Sequence, residues 1–353
     1  MMRKSVILQS YLYFAILTMF SCSGAEERTT PDVSHIELNH IEVERFDLDL
    51  QNLTPEHAPS LHELWKVKYG NFYQDYLERI LKIASVENDI TASLILGEIS
   101  EMPDFKDLAD SVHTRFPNLI KQEEELTDAF KRILYYLPES DLPSRFIAYF
   151  SGFAVQIPVG EDYIGIGLDL FMGPNFPYYS DLIGTYPRYI SQRFTPENIA
   201  PRVVEAYIRQ ELLPTEPQET TLLNHMLHHG KAMYLMDLIL PHHMDSLKIG
   251  YTDRQQAWAK HYQRSVWDWM IENKMLYQNE HTLLQQFFGE SPFTPDLGVN
   301  NESAPKLGTF IGWQMVRQYM ERFPNTSITQ LLEMTDGQTF LLQSRYKGDY
   351  QIL

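Results

Sequence analysis

The chain of 353 residues contains a single cysteine, Cys22, and that count limits how any fold here is held together. With no second thiol there is no intrachain disulfide, and a zinc site built from cysteines is excluded. The body must therefore be stabilised by packing of its own apolar side chains. The composition allows this, because 44% of the residues are hydrophobic and 13% aromatic. At this length that suffices for one large core or two modest ones.

The position of Cys22 carries further information. It follows Ser21 at the end of the apolar run VILQSYLYFAILTMF, itself preceded by the basic segment MRKS. This is the anatomy of an export signal. The run contains Gln9 and Ser10 and is short for the ~20 residues of a spanning helix, so it reads as a signal and not as a permanent anchor. Cys22 then stands where a bacterial lipoprotein carries its lipid, although Phe20 is bulkier than the usual residue before the serine. The expected organisation is a signal peptide at 1–21, the lipidated cysteine and a tether at 22–45, and one globular domain at 46–353.

Charge narrows the partners. The formal net charge is −18, and cleavage before Cys22 removes Arg3 and Lys4 and no acid. Such a body repels phosphate, so nucleic acid is not a partner, and membrane attachment rests on lipid and not on a basic patch. The expected location is the cell envelope, membrane-anchored and facing the periplasm.

Along the chain, IEVERFDLDL alternates as a first strand would, and the pattern turns helical from Thr54-Pro55-Glu56. Helices are expected near 91–100, 104–114 and 119–137. SRFIAYFSGFAVQIPVGEDYIGIGLDLFMG reads as two or three strands, followed by a loop rich in proline and tyrosine. Helices return at about 195–213, 218–240, 254–273, 280–288, 305–323 and 327–345. The fold class is α+β, predominantly α-helical with a small central sheet.

Three histidines lie within LLNHMLHHGKAMYLMD, residues 222–237. His225 and His229, four apart, share a helical face and have the spacing of a zinc pair. The peptidase motif HExxH also needs a glutamate after the first histidine, and that position is Met226, which cannot take a proton from water. A third ligand would have to come from Asp237, His242, His243 or Asp245. The alternative reading places both histidines at the edge of a buried stripe as hydrogen-bonded core residues. Gly165, Gly167 and Gly173 do not form a phosphate-binding loop and read as turn or bulge positions. Gly308 and Gly312, with Trp313 and Met315, mark a helix whose small face packs against another. Tyr163, Phe176, Tyr178, Tyr179 and Tyr186 form an aromatic set that fills a core edge or offers a contact surface for a protein or a polysaccharide.

Taken together and in order, GIGLDLFMG, LLNHMLHHGKAMYLMDLILP, IGYTDRQQAWAKHYQRSVWDWMIENKMLY, NNESAPKLGTFIGWQMVRQYM and SRYKG resemble the gliding motility lipoprotein GldB family of Bacteroidetes. The resemblance runs from about residue 40 to the C-terminus. It implies an envelope lipoprotein needed for gliding and associated with other envelope or gliding proteins and the type IX secretion machinery. That family is in turn similar to zinc metallopeptidases in which an HExxH helix is followed by a Glu-Gly pair. In that register VVEAYIRQ is the first helix, with Val204 and Ile208 at the two histidine positions, Glu205 retained, and His229-Gly230 at the Glu-Gly pair. The resemblance thus implies a degenerate zincin-like scaffold with no catalytic residue, no metal and no cofactor. Such a scaffold would bind a peptide partner, for which YIGIGLDL would be the edge strand. The alternative is a divergent zinc-dependent hydrolase using His225 and His229 as ligands and Glu205 as base.

Overall fold

β2 (Arg145–Tyr149) is the centre of a three-stranded parallel sheet, with β1 (Val43–Arg45) on one side and β3 (Tyr163–Gly167) on the other. Val43 stands opposite Phe146, and Arg145 and Tyr149 opposite Tyr163 and Gly167. The computed structural model describes residues 30–213, 221–298, 300 and 302–350. Strands β2 and β3 are buried along almost their whole length, which is why both read as apolar runs and not as alternating ones. The expected first strand is cut short after Arg45. Phe46 opens a helix, α1 (Phe46–Gln51), and its ring meets Trp65, Tyr69, Phe72 and Tyr76 edge-on.

Both edges of this sheet are occupied by the chain itself. On the β1 side, the N–H groups of Ile41 and Val43 donate to Thr127 Oγ1 and Glu123 Oε1. On the β3 side, the connection from β2 turns back and runs antiparallel along the strand. Gly165 N–H donates to Pro158 O and Gly167 N–H to Gln156 O, each at 2.8 Å. A Cβ on Gly167 would come within 2.4 Å of Val155 O, and one on Gly165 within 2.7 Å of Pro158. These glycines are therefore neither turns nor bulges; they admit the covering segment. LDLF, which reads as strand, forms a short 3-10 turn at Leu168–Phe171.

Helices fill the rest. Before β2 lie α2 (Ala58–Asp75), α3 (Asp89–Glu101), α4 (Pro103–Arg115) and α5 (Ile120–Tyr136). After β3 come α6 (Ile199–Tyr207), α7 (Leu222–Ile239), α8 (Asp245–Ile249), α9 (Asp253–Glu272), α10 (His281–Phe288), α11 (Leu307–Arg322), α12 (Ile328–Glu333) and α13 (Gly337–Ser344). Local signals set several starts. Thr252 with Gln255 and Ser327 with Gln330 form capping boxes, and Asn88 and Thr221 accept from backbone N–H groups of α3 and α7. The helix expected over 327–345 is two, because the Asp336 carboxylate takes the N–H groups of Gln338 and Thr339 and starts α13.

Val33–Tyr350 packs as one compact unit and takes in Val33, Ile41 and Val43 as buried side chains. Part of the stretch read as tether is thus packed. The signal peptide at 1–21 and Cys22 lie outside the described residues. No described helix is long and apolar enough to cross a membrane. At the centre, α7 is buried at nearly every position, with Asn224, Asp237 and Leu238 the partly exposed ones. It is a core helix and not a surface helix with one apolar stripe. Its partner α11 crosses so closely that a Cβ on Gly312 would lie 1.9 Å from Met226 O, and one on Gly230 2.4 Å from Gly312 O.

Candidate functional site

Helix α6 carries Glu205 toward α7. Arg202 and Arg209, three before and four after it, stand on the same helical face. Arg202 Nη2 lies 2.6 Å from Glu205 Oε2, and Arg209 Nε donates to Oε1 at 3.0 Å, so both carboxylate oxygens have a guanidinium partner. Burial alone would push this carboxyl up, but Arg202, Arg209 and the Lys306 ammonium outweigh it and hold Glu205 down at about 2. A carboxylate held so low is a poor general base near neutral pH. Val204 and Ile208, the positions of the two histidines in the peptidase register, are fully buried apolar residues.

The three histidines of α7 are all buried. The His229 ring stacks on Phe288 of α10 with centroids 4.6 Å apart, and the His225 ring lies 5.6 Å from the same phenyl. Arg209 Nη1 is 3.3 Å from His229 Nδ1. Burial, reinforced by Arg209 and the neighbouring histidines, keeps His229 well below its usual range; His228 is lowered to about 4 by burial and by Lys231 and Arg209. Neutral imidazoles suit a metal, but the adjacent guanidinium opposes a cation.

The acids expected to complete a metal set have other partners. Asp237 accepts from Arg317 Nε and Nη2, both at 2.7 Å, from Trp313 Nε1 at 2.8 Å and from Lys248 Nζ at 2.9 Å. Asp245 accepts from the same Arg317 at 2.9 Å. Burial raises the Asp237 carboxyl, and Arg317 with Lys248 more than reverses this. Among the described residues, the set of three possible ligands whose atoms lie within 4.8 Å of one another is His62, Glu63 and Asp89. It includes neither His225 nor His229. There the Lys66 ammonium sits 2.9 Å from Asp89, and His62 Nδ1 is 2.9 Å from the Tyr73 hydroxyl, an arrangement of an internal hydrogen-bond chain.

The aromatic set divides. Tyr163 is buried in β3 and its hydroxyl donates to Asp75 at 2.8 Å; Tyr179 is buried and its hydroxyl donates to Asp169 O at 2.6 Å. These two cannot form a contact surface, because their rings and hydroxyls are used inside. Tyr186 is partly buried and donates to Phe153 O. Phe176 and Tyr178 are partly exposed at the rim and pack on Phe153.

Beneath this rim lies a carboxylate that the sequence marks only as a lone acid in an apolar run. Asp169 is fully buried, and its Oδ2 accepts from Ser151 N–H at 2.9 Å and Phe153 N–H at 2.6 Å. Its Oδ1 has no partner. Burial pushes the carboxyl up to about 6, with the backbone N–H groups opposing. The pairing of Arg202 and Arg209 with Glu205 was also missed, although the spacing in RVVEAYIR displays it.

Fold and side chains together define a mostly helical α+β protein in which the most chemically suggestive groups are engaged in internal ion pairs and ring stacks. A family model described as "Gliding motility protein GldB" matches residues 26–348, and the chain belongs to that family. Neither the curated proteins nor the solved structures contain a match to it. Membership implies a role in gliding motility and a lipoprotein anchored to a membrane of the cell envelope.

Proposed function

We propose that this chain is a non-catalytic interaction protein, a peptidase-like scaffold without the peptidase, that faces the periplasm on its lipid anchor and supports gliding motility and the type IX secretion machinery by holding a protein partner. The observation that carries this reading is the state of Glu205. The one residue retained from the peptidase motif has both oxygens on guanidinium groups, between two apolar positions where ligands are required. Binding does not run along the sheet, because the edge of β3 is covered by residues 155–160.

The test is complementation in a gliding host that lacks its own copy, with protein levels checked by immunoblot. Glu205→Gln and the double variant His225→Ala, His229→Ala are expected to restore spreading wherever they accumulate normally. Elemental analysis of untagged residues 23–353 accompanies it. About one zinc per chain, lost in the histidine variant together with spreading, would overturn the proposal.

A further inference from the structure

The start of α2 and the exposed face of α3 enclose a groove of about 750 Å³ whose lining includes Glu63 and Asp89 but none of Glu205, the α7 histidines or Asp169. Its walls are Pro55, Pro59, Gly97 and the side chains of Ile90 and Leu94. Ile90 and Leu94, four apart on α3, are 76% and 64% exposed, so this apolar ridge has no cover among the described residues. Gly97 lets α3 close on the loop before α2, where an added Cβ would lie 3.2 Å from Pro55 Cα.

Around the apolar floor stand Glu63, Asp89, Glu98 and Glu101, with no lysine or arginine among the lining residues. Lys66 pairs with Asp89 and Lys106 approaches Glu101 at 3.6 Å. Glu63 and Glu98 make no ion pair among the described residues. Charge then selects the occupant. A second copy of a chain with net charge −18 would bring acid against acid, and an anionic bilayer would be repelled in the same way. A cationic segment with apolar side chains satisfies both the rim and the floor.

We propose that this groove docks a basic amphipathic helix of a partner protein, its apolar face on Ile90 and Leu94 and its lysines or arginines on Glu63 and Glu98. The proposal rests on the interaction reading given above and assigns it a surface.

The probe is a fluorescent synthetic helix of leucine and lysine with the leucines on one face, titrated with residues 23–353 and followed by anisotropy. Its twin carries glutamate in place of lysine. The lysine peptide is expected to bind and the twin not. Ile90→Ser with Leu94→Ser should weaken binding about tenfold or more, since two exposed apolar contacts are lost. Glu63→Gln with Glu98→Gln should weaken it and flatten its salt dependence. Glu272→Gln with Glu321→Gln, away from the groove, should leave it unchanged.

Because Ile90 and Leu94 are exposed, their variants are expected to melt with the parent. No binding of the lysine peptide, or equal binding by the Ile90, Leu94 variant, would overturn the proposal, the second by showing attraction to the acidic surface at large. Either failure leaves the interaction reading standing on its complementation test. A histidine-dependent zinc would sink that reading without changing the peptide titration.

Discussion

Asp169 sets the conformation of the turn after β2. Its Oδ2 gathers the N–H groups of Ser151 and Phe153, and Phe153 has a left-handed backbone at φ +68°. Holding this charge in the core has a cost that depends on pH. The folded carboxyl titrates at about 6 against 3.8 for the free group, so between these values the folded state holds more protons than the unfolded one. Stability therefore falls as pH rises through that window, by about 3 kcal/mol once both forms are ionised. From about pH 7 to about pH 5 the group should return ~1 kcal/mol of this. Because the buried His228 and His229 lose stability over the same interval, the readout is the difference between proteins: urea unfolding at the two pH values should show the stability of the parent relative to Asp169→Asn rising by ~1 kcal/mol at the lower pH. Glu205 behaves in the opposite sense: its folded carboxyl lies at about 2, below the free value of 4.5, so its contribution is present above the free value and is lost as pH falls toward the folded one.

At the level of elements, the decisive contact is the crossing of α7 and α11. Gly230 and Gly312 bring the two backbones together, and Trp313 and Arg317, from the same face of α11, reach Asp237 on α7. Gly312→Ala would place a methyl 1.9 Å from Met226 O. Backbone cannot yield as a flexible side chain does, so the loss should be about 3 kcal/mol or more, toward the high end for overpacking. A denaturant midpoint close to the parent value would show that the helices can separate without cost. The small-residue face of α11 was legible from GTFIGW, but its partner was not. The helix starts were legible too, because a cap is encoded within four residues, as Thr252 and Gln255 show. The break before α13 and the end of β1 were not, since an isolated Asp336 or Phe46 does not reveal locally which backbone or cluster it will join.

For the whole molecule, we propose lipid at Cys22 as the means of attachment, in keeping with the lipoprotein family and with a net charge of −18 that disfavours an anionic bilayer. Residues 23–353 should stay in solution when centrifuged with phosphatidylserine vesicles, even at low salt, where a basic patch would bind most strongly. The full chain with Cys22→Ala should move from the membrane to the soluble fraction of cells. Sedimentation of the soluble form with anionic vesicles would show that a surface other than the lipid holds the membrane.

The sequence by itself determined most of the helical and strand segments, the lack of any intrachain disulfide, the sign of the surface and the family, because periodicity, composition and motif order are properties of neighbouring residues. Tertiary structure decided what the suggestive residues do. Arg317 lies 80 residues from the Asp237 it neutralises, and Arg209 reaches His229 across 20. Residues 155–160 close the strand edge expected at YIGIGLDL. A carboxylate or an imidazole has its chemistry set by the charges and solvent around it, and those arrive only when distant segments pack.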